Sequence, residues 1–286
     1  MNSTKSYKPT IKNGDYLFDS NVEFIRPVEI HFVRMEEFDD PDAYKVLVLS
    51  SESCLSINRE SIESVIQSGD TYDLILCTDD AILEHCPNSQ MFPYGSTWLN
   101  RGNIKHPDGL GFFDREHKSF QKIDKTLNDV SFLASWYSDI PGYILRQEVW
   151  TRQEEIDIPI MFHTSRKAFL DAPNPLPTGE KEDLFYSMYH ICIENQQVPN
   201  YFTEKIVDSF LTYTIPVYWG CPNIADYFDP DGMVLFDTVD ELIPKLNSLT
   251  FDYYYDRMDV IEKNRKIAES YANFGDRVAA SIKEKL

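Results

Sequence analysis

Cys192–Gly220 reads CIENQQVPNYFTEKIVDSFLTYTIPVYWG, and its pattern is strand, polar loop, helix, strand. The apolar run from Phe185 to Ile193 predicts a buried strand. Glu194 and Asn195 stand at its carboxyl end, and a polar loop follows. Thr203 sits where an N-cap belongs, opening a helix to Thr212. Thr214–Trp219 (TIPVYW) predicts the next strand, which stops at Gly220. Strand, helix and strand so closely spaced build a parallel α/β sheet.

Working outward, the same alternation recurs. Tyr44–Leu49 (YKVLVL) and Tyr72–Cys77 (YDLILC) are apolar runs that predict buried strands, with an amphipathic helix over Asn58–Ser68 between them. Val130–Ser135 and Ile158–His163 predict strands on either side of a helix over Gly142–Glu154. Met233–Phe236 predicts a short strand, Val239–Ser248 a helix, and Asp252–Lys285 one or two terminal helices. Asn100–Asp129 is polar and irregular, an edge hairpin or a surface loop. Two consecutive α/β units follow from this order. The expected domains are 1–128, 129–252, and terminal helices over 253–286 that pack back on the first domain, with Phe251–Tyr255 as an aromatic contact. Ligands of such sheets sit at the carboxyl ends of the strands.

The 286 residues are 42% apolar and carry a formal net charge of −20. That field repels polyanions, so nucleic acid is excluded as a partner, although one local pocket can still hold a small phosphate ligand. Met1–Asp15 has no apolar stretch and no run is long enough to span a bilayer, so neither a signal peptide nor membrane insertion is expected. Five scattered cysteines read as reduced thiols, with Cys77 and Cys192 as inert core residues. The six histidines lack zinc-site spacing. Asp229-Pro230-Asp231 and Asp40-Pro41-Asp42 have an Asp-x-Asp form, but the central proline predicts turns. Asp79 is expected to cap a helix.

The chemistry concentrates in CIENQQVPNYFTEK, Cys192–Lys205. A helix's first turn presents N–H groups and a partial positive charge, and Lys205 beside them makes a pyrophosphate site. Glu204 there can accept hydrogen bonds from sugar hydroxyls. From spacing alone, a capped surface helix remains the other reading.

The block CIENQQVPNYFTEKIVDSFLTYTIPVYWGCPNIADYFDP, Cys192–Pro230, resembles the signature of the family-10 glycosyltransferases, the alpha-1,3-fucosyltransferases, in their bacterial form. The shared elements are an acidic residue with Asn at the strand end, Tyr-x-Thr-Glu-Lys opening a helix, and Pro-Val-Tyr-Trp-Gly on the next strand. The resemblance implies two Rossmann-like domains facing a cleft, the GT-B type fold. It also implies an inverting transfer of fucose from a GDP-fucose donor to a glycan acceptor, with no cofactor or metal required. By position it makes Asn195, Tyr201, Glu204 and Lys205 donor-binding residues, with Arg146 in GYILRQEVW neutralising the pyrophosphate. It places the general base at Glu52, after the strand in YKVLVLSSESC, with Glu194 a rival for that role; Arg166, by its position after the predicted strand Ile158–His163, is a second choice beside Arg146 for the phosphates. Arg146 alone would otherwise read as a helix-surface charge, and Glu52 as a solvated loop carboxylate. Animal members carry an anchor and lumenal disulfides. Neither is visible here, so a microbial cytoplasm or a virus-infected host cytoplasm is the expected location. The alternatives are another GDP- or UDP-sugar donor such as UDP-xylose, and a carbohydrate-binding protein without catalysis.

Overall fold

The computed structural model describes residues 5–13, 18, 20–49, 62–99, 113–114, 119–120, 125, 127–135, 139–165, 174–177 and 179–286. Contacts group the chain into two units. One comprises Met1–Ser96, Val198–Tyr201 and Asn273–Leu286, and the other Thr97–Gln197 and Phe202–Ala272. Both are α/β bodies on parallel sheets, as the sequence predicts.

The first unit holds β1 (Thr10–Lys12), β2 (Val28–Phe32), β3 (Tyr44–Val48), α1 (Ile62–Ser68), β4 (Leu74–Cys77), α2 (Asp80–His85) and β5 (Ser89–Met91). Its strands lie in the order β1-β2-β3-β4-β5, all parallel, with no reversal. β3 and β4 are apolar on both faces. Leu47, Leu49, Ile75 and Cys77 pack with Val65 of α1 and Ile82 of α2. Val46, Val48, Leu74 and Leu76 pack on the other side. Asp79 caps α2 as expected, accepting from the Ala81 and Ile82 amides at 3.0 and 3.1 Å.

β2 is a strand that the sequence pattern conceals. Val-Glu-Ile-His-Phe alternates polar and apolar, yet every residue is buried. Glu29 is satisfied inside by His31 Nε2 at 2.9 Å, by the Asp39 and Asp40 amides, and by Lys12 Nζ at 3.4 Å. His31 Nδ1 accepts from the Glu36 amide at 3.3 Å and lies 2.9 Å from the Tyr72 hydroxyl. Fully partnered, these polar groups pass as core.

The second unit continues with β6 (Phe113–Asp114) and β7 (Ser119–Phe120), a short antiparallel pair. Then come β8 (Val130–Ala134), α3 (Pro141–Thr151), β9 (Ile160–Thr164), β10 (Tyr189–Ile193), α4 (Glu204–Leu211), β11 (Ile215–Trp219) and β12 (Val234–Leu235). α5 (Val239–Asn247), α6 (Phe251–Tyr255) and α7 (Met258–Ala272) complete it. The main sheet runs β12-β11-β10-β8-β9, parallel throughout. This is a doubly wound order whose direction reverses between β8 and β10. Ile191, Ile193, Val217 and Trp219 face Val149 of α3 and Leu242 and Leu246 of α5. Cys192 and Tyr218 face Ile206, Val207, Phe210 and Leu211 of α4 and Ala268 of α7. Each fully buried aliphatic or aromatic chain of α4 contributes roughly 1.5–3 kcal/mol of burial. Pro216 is tolerated in β11 because β12 first pairs at Val217, so no ladder bond is lost.

The last helix, α8 (Phe274–Lys283), groups with the first unit. Phe274, Val278, Ala279 and Ile282 close the face of β3 and β4 opposite α1 and α2. Asn273 starts it, its side chain accepting from the Asp276 amide. The aromatic run Phe251–Tyr255 packs differently from expectation. Tyr254 lies in the core of the second unit, its hydroxyl donating to the Tyr213 carbonyl at 2.7 Å. Phe185–Ile193 is likewise not one strand, because Lys181–Tyr186 coils as a 3-10 helix and β10 begins at Tyr189. Leu184 and Phe185 are buried in that form, so apolarity alone mistook a short helix for strand.

Candidate functional site

The strand-order reversal sets the location. The crossovers from β8 and β10 leave in opposite directions along the sheet, and the ends of such strands form a crevice for ligands. Glu194 and Asn195 continue β10 directly into that place. α3 comes in against them: the Gly142 amide donates to the Asn195 carbonyl at 3.0 Å. A Cβ on Gly142 would collide with the Glu194 carbonyl and lie 2.9 Å from Asn195 Cα. Gly220 meets the same need at the end of β11, where a Cβ would lie 2.6 Å from Glu194 Cγ. Glycine at both positions lets backbone and side chain share one small space.

Glu194 is fully buried. Its Oε1 accepts from the Thr203 amide at 2.8 Å, and its Oε2 from the Thr203 hydroxyl at 2.8 Å and from Lys205 Nζ at 3.2 Å. Lys205 Nζ also donates to Thr203 Oγ at 3.0 Å and lies 3.6 Å from Glu204. Thr203 is the N-cap of α4, accepting from the Lys205 amide. One threonine therefore joins the helix start to the buried carboxylate and to the ammonium. Both Glu194 oxygens are committed to holding Thr203 and Lys205, which suits a positioning group rather than a base.

Arg146 is not a helix-surface charge. It is buried, reaching from α3 to the Ile193 carbonyl and to Asn195 Oδ1 at 2.9 Å, with its guanidinium 4.8 Å from the Tyr143 ring centre. The end of β10 thus carries two polar groups: Arg146 with Asn195 on the α3 side, and Glu194 with Thr203, Lys205 and Glu204 at the α4 start. Tyr201 is fully buried in the stretch Val198–Tyr201, behind Asn200 in the left-handed region at φ 63°. Glu52 and Arg166 lie outside the described residues.

Glu204 has a partner that its sequence neighbourhood does not reveal. Lys181 Nζ donates to its Oε1 at 2.8 Å. Burial alone would raise the Glu204 carboxyl, but Lys181 and then Lys205 outweigh it and hold the group far below the usual carboxylate range. One turn further on, fully buried Asp208 accepts from the Thr97 hydroxyl at 2.5 Å and from the Trp98 amide at 3.2 Å. Burial pushes Asp208 up to about 7, against the opposing pull of Lys181 and the Thr97 donor.

That shift has a consequence for stability. Folded Asp208 keeps its proton up to about pH 7, whereas an unfolded aspartate loses it near 3.9. The folded state therefore binds the extra proton, and stability falls as pH rises from about 4 to 7, then levels. Asp208→Asn keeps an acceptor for Thr97 and removes this slope. Thermal unfolding from pH 4.5 to 8 should show a shallower decline than in the parent, and parallel profiles would refute the assignment.

The Asp-x-Asp sequences are turns. Asp229 accepts from the Asp231 amide at 3.1 Å and pairs with Lys263 at 2.8 Å, and Asp40 accepts from the Asp42 amide at 2.9 Å. Among the described residues no helix is long and apolar enough to cross a membrane. Cys77, Cys86, Cys192 and Cys221 are unbridged and buried, and burial raises the Cys192 thiol.

No protein-family model matches the chain. Among curated proteins, the alpha-(1,3)-fucosyltransferase FucT of Helicobacter pylori is 36% identical over 103 residues, which is 29% of this chain and 22% of FucT. The chain thus spans about a fifth of the length of that relative. Solved structures of an alpha1,3-fucosyltransferase are similar at 18% identity. The one with GDP-fucose covers 81% of this chain and 68% of its own, with a TM-score of 0.47. The one with GDP covers 86% and 79%, also at 0.47.

Proposed function

We propose that this chain is an inverting glycosyltransferase of GT-B type that moves fucose from GDP-fucose to a glycan hydroxyl. The observation that carries the reading is the network of partly exposed Lys205 with buried Thr203 and Glu194 at the start of α4, one residue from the Asn195–Arg146 pair and at the strand-order reversal. The sequence similarity to an alpha-(1,3)-fucosyltransferase supports the choice of sugar.

In this reading the acceptor hydroxyl attacks the anomeric carbon, forming the new C–O bond as the bond to the diphosphate breaks. The hydroxyl's proton passes to Glu52, assigned as base on the family resemblance. The diphosphate leaves with its electron pair and is met by Lys205 and Arg146. Glu204, anionic, accepts hydrogen bonds from the fucose hydroxyls, and Asn195 and Tyr201 help hold the donor. Arg166 is kept as a second phosphate contact. Glu194 fixes Lys205. No metal or cofactor takes part, and the setting is a cytoplasmic one.

Two measurements test this. Turnover across GDP-fucose, GDP-mannose, UDP-galactose and UDP-xylose, with EDTA present, should be confined to GDP-fucose. Turnover of a UDP-sugar alone removes the fucose assignment, and binding without any turnover leaves a carbohydrate-binding protein. Glu52→Gln should lower transfer by about 10²–10⁴-fold with donor affinity unchanged. Unaltered turnover would take Glu52 out of the mechanism.

A further inference from the structure

Lys181 is held at two points. Its Nζ lies 2.8 Å from Glu204 Oε1 and 4.3 Å from the centre of the Trp98 ring. Trp98 is itself fixed, because its amide and the Thr97 hydroxyl are both bound by the buried carboxylate of Asp208 on α4. The lysine therefore sits between a ring and a carboxylate that the same helix positions. Such a cation–π contact restrains the ammonium as well as attracting it.

The neighbouring lysine does a different job. Lys205 is closest to Thr203 and Glu194, at 3.0 and 3.2 Å, and stands 3.6 Å from Glu204. The cations divide: Lys205 serves the carboxylate at the end of β10, and Lys181 serves the one at the start of α4. We propose that Lys181 is a positioning residue for the transfer reaction, aiming Glu204 at the donor sugar and keeping it an acceptor. This rests on the glycosyltransferase reading given above.

The groups acting on or near Glu204 are Lys181 from the 3-10 helix, Thr203 at the cap, Lys205 and Asp208 from α4, and Cys192 from β10. Glu194 already holds Lys205, and Asp208, protonated up to about pH 7, brings no second cation to Glu204. Removing Lys181 leaves a buried carboxylate whose remaining cation is shared. Its proton affinity then rises, and at low pH it stops accepting from sugar hydroxyls.

The test uses the whole chain with Lys181→Met, Lys181→Arg, Glu204→Gln and the Lys181→Met/Glu204→Gln pair. GDP binding is measured by calorimetry and GDP-fucose turnover from pH 5 to 9. Lys181→Met should lower kcat/KM about tenfold or more throughout that range, because Glu204 loses the cation that aims it. Lys181→Arg should restore most of the activity. GDP affinity should stay within about threefold, which also reports a folded protein. In the Glu204→Gln background, Lys181→Met should add nothing further. Wild-type kinetics for Lys181→Met overturn the proposal, as does an additive double variant. A loss of GDP affinity equal to the loss of kcat/KM also overturns it, by placing Lys181 on the diphosphate. A parent protein that neither binds GDP nor turns over a nucleotide sugar overturns the glycosyltransferase reading and this one with it.

Discussion

Transfer by Lys205→Ala is expected to fall about 100- to 1,000-fold in kcat, the usual cost of losing one group that stabilises charge developing at a reacting centre. The lysine has two tasks. In the proposed reaction it meets the departing diphosphate, and in the fold it neutralises Glu194, which is fully buried. Thr203 still gives Glu194 two hydrogen bonds in the variant, so the carboxylate is weakened in support rather than stranded. Removing one partner of a buried ion pair costs about 3–5 kcal/mol. The loss here belongs at or below the low end, because Lys205 is partly exposed and Thr203 remains. Rate and stability are separated by measuring kcat beside thermal unfolding. A variant of normal rate would break the assignment of Lys205 to the leaving group, whatever its melting temperature.

Gly142→Ala is expected to be the most destabilising small change in the second unit. The added methyl group meets the Glu194 carbonyl and, at 2.9 Å, Asn195 Cα. Both are backbone, so no side chain can swing aside. α3 must retreat from β10, which strains or breaks the Gly142–Asn195 bond and withdraws Arg146 from the Ile193 carbonyl. Overpacking costs about 1–3 kcal/mol and the lost hydrogen bond about 1 kcal/mol. A total of about 3 kcal/mol lowers the melting temperature by roughly 6–12 °C in a unit of this size. GDP affinity should fall as well, since Arg146 moves. Gly220→Ala is milder in kind, because its methyl group meets side-chain atoms of Tyr218 and Glu194. An unchanged melting curve for Gly142→Ala would mean that α3 does not abut the strand end as described.

The parts of the fold legible in the sequence share one property: their burial is written in consecutive apolar residues. β3, β4, β8 and β11 are such runs, and α4 carries its cap, Thr203, where the pattern places it. β2 escaped because Glu29 and His31 are buried only by virtue of partners that arrive from other segments, at Asp39, Asp40 and Tyr72. The site divides in the same way. Glu194, Asn195, Glu204 and Lys205 lie within a dozen residues, so their grouping is local and visible. Lys181 reaches Glu204 across 23 positions, and Thr97 reaches Asp208 across 111. Nothing in the flanks of Lys181 announces an ion pair. Gly142 shows a different limit. Its sequence suggested only a helix start, and its reason for being glycine is a backbone more than 50 positions away.

Because α8 closes the sheet built by β1 to β5, the order in which the chain is made differs from the order in which its cores can be finished. Ribosomes release β5 long before Phe274. At about 5–20 residues per second the interval is roughly 10–40 s. During that time Val46, Val48, Leu74 and Leu76 lack the helix that shields them, while every element of the second unit emerges before α8 does. A nascent chain stalled ahead of α8 carries an open apolar sheet face, a natural place for a chaperone to hold.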